Sequence, residues 1–241
     1  MIDPARSFDR AAAEYERGRP DWPEAVLDLV GVPPEATVLD LGAGTGKLTR
    51  VLVRRYAHVV AVEPLPAMRT ELERQVPAAE ALDGRAEAIP LADGSVDAVF
   101  VAQAFHWFAN DEAVAEIARV LRPGGVLALL WNEASELAPS PLPDAYERRL
   151  AGLRPSEERE SDWIQKALAS GPFGELRSGG IEQEQRSARE TVLANAASVS
   201  WVASLPDEER RRVLAELAEL LPEGEYRFPI RANVSWAERS D

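Results

Sequence analysis

Residues 38–46, Val-Leu-Asp-Leu-Gly-Ala-Gly-Thr-Gly, constrain the fold of this chain more than any other stretch. Val38, Leu39 and Leu41 read as a buried apolar strand, and Gly42, Gly44 and Gly46 as a turn that only glycine fits well. Without side chains these positions accept positive φ and let the backbone approach a ligand closely. Lys47 to Leu52 follow with helical apolar spacing, so the loop joins a strand's carboxyl end to a helix's amino end. Open α/β sheets bind nucleotides at such junctions.

The spacing discriminates further. A dinucleotide fingerprint reads G-x-G-x-x-G, whereas this loop reads G-x-G-x-G with Asp40 just before it. Seventeen residues past Gly46, the apolar run Val59-Val60-Ala61-Val62 ends in Glu63. A carboxylate at the tip of a second strand can accept hydrogen bonds from both hydroxyls of a ribose. Strand, loop, helix, strand and acid in that order predict an adenosine-type ligand.

The rest of the chain is organised around the same alternation. Periodicity predicts strands near 37–41, 58–62, 79–83, 96–101 and 125–131, with helices near 46–56, 65–75 and 110–121. Strands alternating with helices imply a parallel sheet with right-handed crossovers. Residues 5–19 read as a loose helical lid holding Phe8 and Tyr15, and Asp21 as the cap of a helix that stops at Gly31. After Trp131-Asn132 the pattern changes: Pro139, Pro141 and Pro143 punctuate a loop before short helices at 143–153 and 160–170. A sixth strand at 180–188, helices at 189–204 and 206–221, and an alternating run from Tyr226 to Trp236 complete the reading.

At these residues the sequence resembles a known family, the class I S-adenosylmethionine (SAM)-dependent methyltransferases. The match continues through Gly84 to Leu91, Ser95 to Val101, and Arg119 to Leu127, which resemble the segments around the family's third, fourth and fifth strands. Ala104-Phe105-His106-Trp107 and Phe8…Tyr15…Arg19-Pro20 are similar to the trans-aconitate methyltransferase group of small-molecule enzymes. The resemblance implies an α/β fold: a Rossmann-like, seven-stranded, mostly parallel sheet with helices on both faces and an antiparallel last strand. It also implies one methyltransferase domain over 1–241, with a cofactor-binding core at 1–132, a helical substrate lid at 133–221 and a final strand at 222–241.

Composition narrows the classes. With 27 basic against 41 acidic residues the net charge is −14, and such a field repels polyanions, so nucleic acid is not an expected partner. No apolar stretch reaches membrane-spanning length and the first residues lack a signal peptide's apolar core, which predicts a cytoplasmic protein. The chain has no cysteine, so thiolate metal sites and covalent attack through sulfur are excluded. No acidic cluster follows strand four as a divalent-metal site would require, and no Asn-Pro-Pro-aromatic loop stands there. The oligomeric state is not legible.

Methyl transfer from a sulfonium depends chiefly on placing the acceptor in line and out of water. The residues that hold the cofactor are therefore easier to find than a base. The resemblance places Asp40, Gly42, Ala43, Gly44 and Gly46 at the methionine part of SAM, Glu63 at the ribose, and Ala86 and Glu87 at the adenine. Arg85 departs from the family pattern, in which an Asp often contacts the adenine amine. At the end of strand four, Gln103 is in reach of the methionine moiety and Phe105 could face the sulfonium through a cation–π contact. His106 is the candidate general base for a hydroxyl acceptor; the competing reading is that it packs under the next helix. Tyr15 and Arg19 either close over the cofactor or form a charged helix surface. The expectation is a methyltransferase acting on a small molecule, with oxygen of a carboxylate or hydroxyl as acceptor. A SAM-binding sensor or partner subunit without catalysis is the alternative.

Overall fold

The glycine loop sits where the strand order reverses in a seven-stranded sheet of order β3-β2-β1-β4-β5-β7-β6, seen in a computed structural model that describes residues 11–154 and 163–240. The strands are β1 (Thr37–Leu41), β2 (His58–Val62), β3 (Glu80–Leu82), β4 (Val96–Ala102), β5 (Leu121–Ala134), β6 (Arg177–Ala188) and β7 (Glu225–Glu238). β1 pairs in parallel with β2 and β4, β2 with β3, and β4 with β5. β7 runs the other way, as paired backbone bonds show: Arg239 N–H donates to Gly125 O and Gly124 N–H to Arg239 O.

The described residues form two compact units. The larger spans Asp21–Glu133, Arg159–Ile181 and Arg231–Asp241. Its central strands are apolar on both faces because both are covered. Val38, Phe100, Ala128 and Leu130 enter one core with Val26, Leu27 and Leu52, while Leu39, Leu41, Val99, Val101 and Leu127 enter another with Ile117. Each of these side chains larger than alanine contributes about 1.5–3 kcal/mol by leaving water.

Helices α2 (Val26–Val30), α3 (Thr49–Arg55), α4 (Pro66–Gln75), α5 (Asp111–Val120) and α7 (Trp163–Leu168) belong to this unit. α5 starts cleanly because the Asn110 side chain accepts from Ala113 N–H at 2.9 Å, and Asp111 and Glu112 oppose the positive helix end. Two expectations shift. Asp21 does not cap α2, whose N-cap is Ala25 without a side-chain bond; instead Asp21 pairs with Lys47 at 3.0 Å and Arg50 at 3.5 Å. α3 begins at Thr49 rather than 46, since Gly46 at φ +87° still belongs to the turn.

The smaller unit spans Met1–Pro20, Ala134–Glu158 and Glu182–Ile230. Its helices are α1 (Ala12–Gly18), α6 (Asp144–Ala151), α8 (Arg189–Ser198), α9 (Ser200–Ala203) and α10 (Asp207–Leu220). The helix predicted over 189–204 is broken at Val199, whose backbone is extended at ψ +139°. Tyr146, Val192, Ala196, Val213, Leu217, Leu221 and Tyr226 make the core of this unit. Of the predicted lid at 5–19, Phe8 lies outside the described residues.

α1 crosses α8 at Gly18, where a Cβ would stand 2.2 Å from Asn195 N. Only a missing side chain permits that approach. Gly18→Ala should force the helices apart and cost about 1–3 kcal/mol, the usual penalty of overpacking. A lowered midpoint in thermal or urea unfolding is the expected result, and an unchanged midpoint would contradict the contact.

Candidate active site

β1 delivers Asp40 into the interior, 1% exposed. Its Oδ2 accepts from Thr49 Oγ1 at 2.6 Å, while Oδ1 is buried and has no hydrogen-bond partner. Burial, first, and the nearby Glu63 charge push its pKa up to about 7, against the pull of Thr49. The turn after it takes positive φ at Gly42 (71°), Gly44 (58°) and Gly46 (87°). A Cβ on Gly42 would meet Ala104 Cβ at 2.9 Å and the Phe108 ring at 3.4 Å, and one on Gly46 would meet Leu72 at 2.7 Å. Ala43, 9% exposed, lies between them with its N–H on Val62 O.

Glu63 ties two loops together. Its Oε2 accepts from Gly44 N–H at 2.8 Å and its Oε1 from Leu65 N–H at 2.9 Å, with the residue 5% exposed. Arg69 clamps the same corner, donating to Glu63 O at 2.6 Å and to Asp83 at 3.0 Å.

After β3, Ala86 is buried among apolar side chains, whereas Glu87 is half-buried and accepts from Asn110 Nδ2 at 3.1 Å. The exposed Arg85 stands 3.9 Å from Glu87. At the end of β4, Gln103 has φ +56°, a left-handed conformation that among the described residues no other non-glycine residue adopts. Its N–H and side-chain amide donate to Leu130 O at 2.9 Å and Asn132 O at 3.0 Å, which pins it to the end of β5. Backbone strain held in this way clusters at functional sites.

The next residues divide differently from the sequence expectation. Phe105 is fully buried, stacked on Trp163 and edge-on to Phe108 at 5.9 Å, so its ring offers no surface to a sulfonium. Phe108 is the aromatic that lies beside the glycine loop. His106 is half-buried with its ring 4.7 Å from that of Trp107.

Tyr15 and Arg19 belong to the smaller unit. The Arg19 guanidinium stacks over the Tyr15 ring at 5.3 Å and donates to Ser198 Oγ at 3.1 Å and Ser198 O at 3.3 Å. Burial holds its pKa below the ordinary value.

A methyltransferase-domain family profile matches residues 39–129. A methyltransferase of Mycobacterium bovis whose activity is uncharacterised is 40% identical over 223 residues, covering 91% of this chain and 87% of its own. An uncharacterised methyltransferase-like protein of Schizosaccharomyces pombe is 35% identical over 221 residues, covering 89% of this chain and 86% of its own. A solved structure of a candidate type II methyltransferase from Anaeromyxobacter dehalogenans superposes with a TM-score of 0.71 at 30% identity, covering 92% and 98%. The chain belongs to the SAM-dependent methyltransferases.

In this methyltransferase the sequence reading missed three side chains. Thr49, nine residues past Asp40, is the hydroxyl that holds it. Asn110 serves both α5 and Glu87, and the following Asp-Glu pair was its signal as a cap. Phe108 stands three residues past Phe105, and nothing local distinguishes which of the two faces inward.

Asp40 makes the methyltransferase's stability pH-dependent. Its folded-state value of about 7 lies above the ordinary 3.8, so between the two the folded protein keeps a proton that the unfolded chain has released. That contribution is complete at the acid end and is lost as pH rises through 7. Urea unfolding of wild type and Asp40→Asn across this range should show wild type losing about 2–4 kcal/mol relative to the variant. Parallel curves would remove Asp40 as the cause.

Proposed function

We propose that the methyltransferase transfers the methyl group of SAM to an oxygen of a small-molecule acceptor, a carboxylate or a hydroxyl. SAM, when bound, supplies an electrophilic methyl on a sulfonium. The observation that carries the cofactor half of this reading is Asp40 Oδ1, a buried acceptor without a partner beside a glycine turn that side chains would fill. That donor-hungry atom fits an amino-acid ammonium. Glu63, acceptor-only when ionised, fits the ribose hydroxyls. Gly42 to Gly46 leave the backbone bare for close approach, and Gln103 and Phe108 border the same strand ends. Glu87 stands after β3 as an acceptor for the adenine amine.

Two points support an oxygen acceptor. A malonyl-[acyl-carrier protein] O-methyltransferase of Methylococcus capsulatus is 45% identical over 102 residues, 40% of this chain and 37% of its own. His106, one of two histidines in the chain, follows β4 at the sheet's carboxyl edge, while His58 begins β2. An imidazole there can take a hydroxyl proton. The net charge of −14 favours a small acceptor over a polyanion.

Glu63→Ala should weaken SAM binding by about 1–3 kcal/mol in isothermal titration, since it removes a charged acceptor. Unchanged affinity would take Glu63 out of the site. For the acceptor, incubation with methyl-labelled SAM and a metabolite extract, read by mass spectrometry, should give a new methyl ester or ether. A methyl on nitrogen or carbon, or no transfer at all, would defeat this reading. His106→Ala should lower kcat by about 10²–10⁴-fold for a hydroxyl acceptor, and by less than about tenfold for a carboxylate that needs no base.

A further inference from the structure

Between β3 and β4 the chain runs through residues 83–95 without a helix or strand, and this segment carries Ala86 and Glu87. Its internal bonds are short-range: Ala88 N–H donates to Arg85 O at 3.0 Å and Leu91 N–H to Ile89 O at 2.8 Å. Further bonds hold it from α5. Arg119 donates through Nη2 to Ile89 O at 2.9 Å, and through Nη1 to Leu91 O at 2.8 Å and Asp93 at 2.7 Å. Glu116, one turn earlier, accepts from Ile89 N–H at 2.9 Å and from the same guanidinium at 2.6 and 2.8 Å. One ion pair thus holds both backbone groups of Ile89. The helix backbone closes the far end of the segment, where Gly94 N–H donates to Arg119 O at 2.9 Å.

A partly exposed ion pair adds only about 0–1 kcal/mol to stability as a rule. This pair holds backbone that no helix or strand ladder satisfies, so its effect falls on the path of the segment. The planar guanidinium aims several donors at fixed angles, which a lysine cannot copy. The bond from Arg119 holds the Glu116 carboxyl below its ordinary range, and the bond to Glu116 raises the Arg119 value, so both keep their charges. Ile89, 3% exposed, anchors the segment in the core, and the half-buried Glu87 lies two residues before it. Binding groups serve only when held to within about 0.5 Å, and the groups behind them supply that precision. We propose that Arg119 and Glu116 are positioning residues that fix the segment from Arg85 to Leu91 so that Glu87 meets the adenine amine, and thereby set the preference for an adenosyl cofactor. The proposal rests on the assignment of Glu87 to the adenine made above.

Isothermal titration of the full chain with S-adenosylhomocysteine, and with its analogue bearing hydrogen in place of the 6-amine, tests this. Wild type should favour the amine about tenfold or more, and Glu87→Ala should erase that preference. Arg119→Met should reduce it to about threefold or less by weakening S-adenosylhomocysteine, while the analogue binds within about twofold of wild type. Glu116→Ala should do the same, and decides the matter if Arg119→Met does not fold. Glu116→Gln, whose amide oxygen still accepts from Ile89 N–H, should stay near wild type. Absence of a preference in wild type, or its survival in Glu87→Ala, would overturn the assignment of Glu87 and the proposal with it. The positioning role alone is overturned by a Glu87-dependent preference that survives in Arg119→Met and Glu116→Ala, by a loss that falls equally on both ligands, or by a Glu116→Gln as impaired as Glu116→Ala.

Discussion

The Glu63 carboxylate is the contact on which the carboxyl edge of β1 and β2 depends. One oxygen takes the amide of Gly44, from the turn after β1, and the other takes that of Leu65, at the entry to α4. Hydrogen bonds to a charged group contribute about 1.5–3 kcal/mol each. Two loops from neighbouring strands are thereby set by one side chain. Arg69 fixes the position of that side chain from behind, through Glu63 O and Asp83. Gly42, Gly44 and Gly46 offer no side chains with which to hold a shape, and the bond from Gly44 N–H to Glu63 helps to fix the turn from the end of β2.

The charge of Glu63 then disfavours that of Asp40. Glu63 itself accepts from two amides. Asp40 has one hydroxyl bond and an empty oxygen, and burial tilts it toward the neutral acid. A hydrogen-bond donor placed against Oδ1 would lower that cost, because it would add the partner that Thr49 alone does not supply.

Much of this was legible in the chain. β1 and β2 fall on residues 37–41 and 58–62 as their apolar runs predict, because a strand covered on both faces leaves an uninterrupted Val/Leu signature. The glycine turn was legible because backbone conformations that exclude side chains leave few residue choices. The illegible parts depend on long-range partners. Asp21 looks like a cap, yet Lys47 and Arg50 lie 26 and 29 residues away along the chain and win it. Phe105 and Phe108 cannot be told apart locally, and Trp163, beyond the core match, helps to bury Phe105 by stacking on it. Arg19 reads from the sequence equally as part of a cover over the cofactor or as a charged surface, and its bonds to Ser198, 179 residues away, are visible only in the structure.

The smaller unit is assembled from three separate stretches of chain. Tyr146 and Tyr226 share a core, and α1 rests on a helix that begins at Arg189. During synthesis, α1 and α6 therefore emerge long before the segments that bury them, and their apolar faces must wait uncovered. The glycine loop, the Glu63 corner and strands β1 to β5 are meanwhile complete within residues 37–134 and can close early. Contacts that span most of the chain close slowly, because loop entropy is spent before they return anything. The order of folding would then run from β1 to β5 outward, and the interval before β7 appears is when a nascent chain is most exposed to chaperones and to its own neighbours.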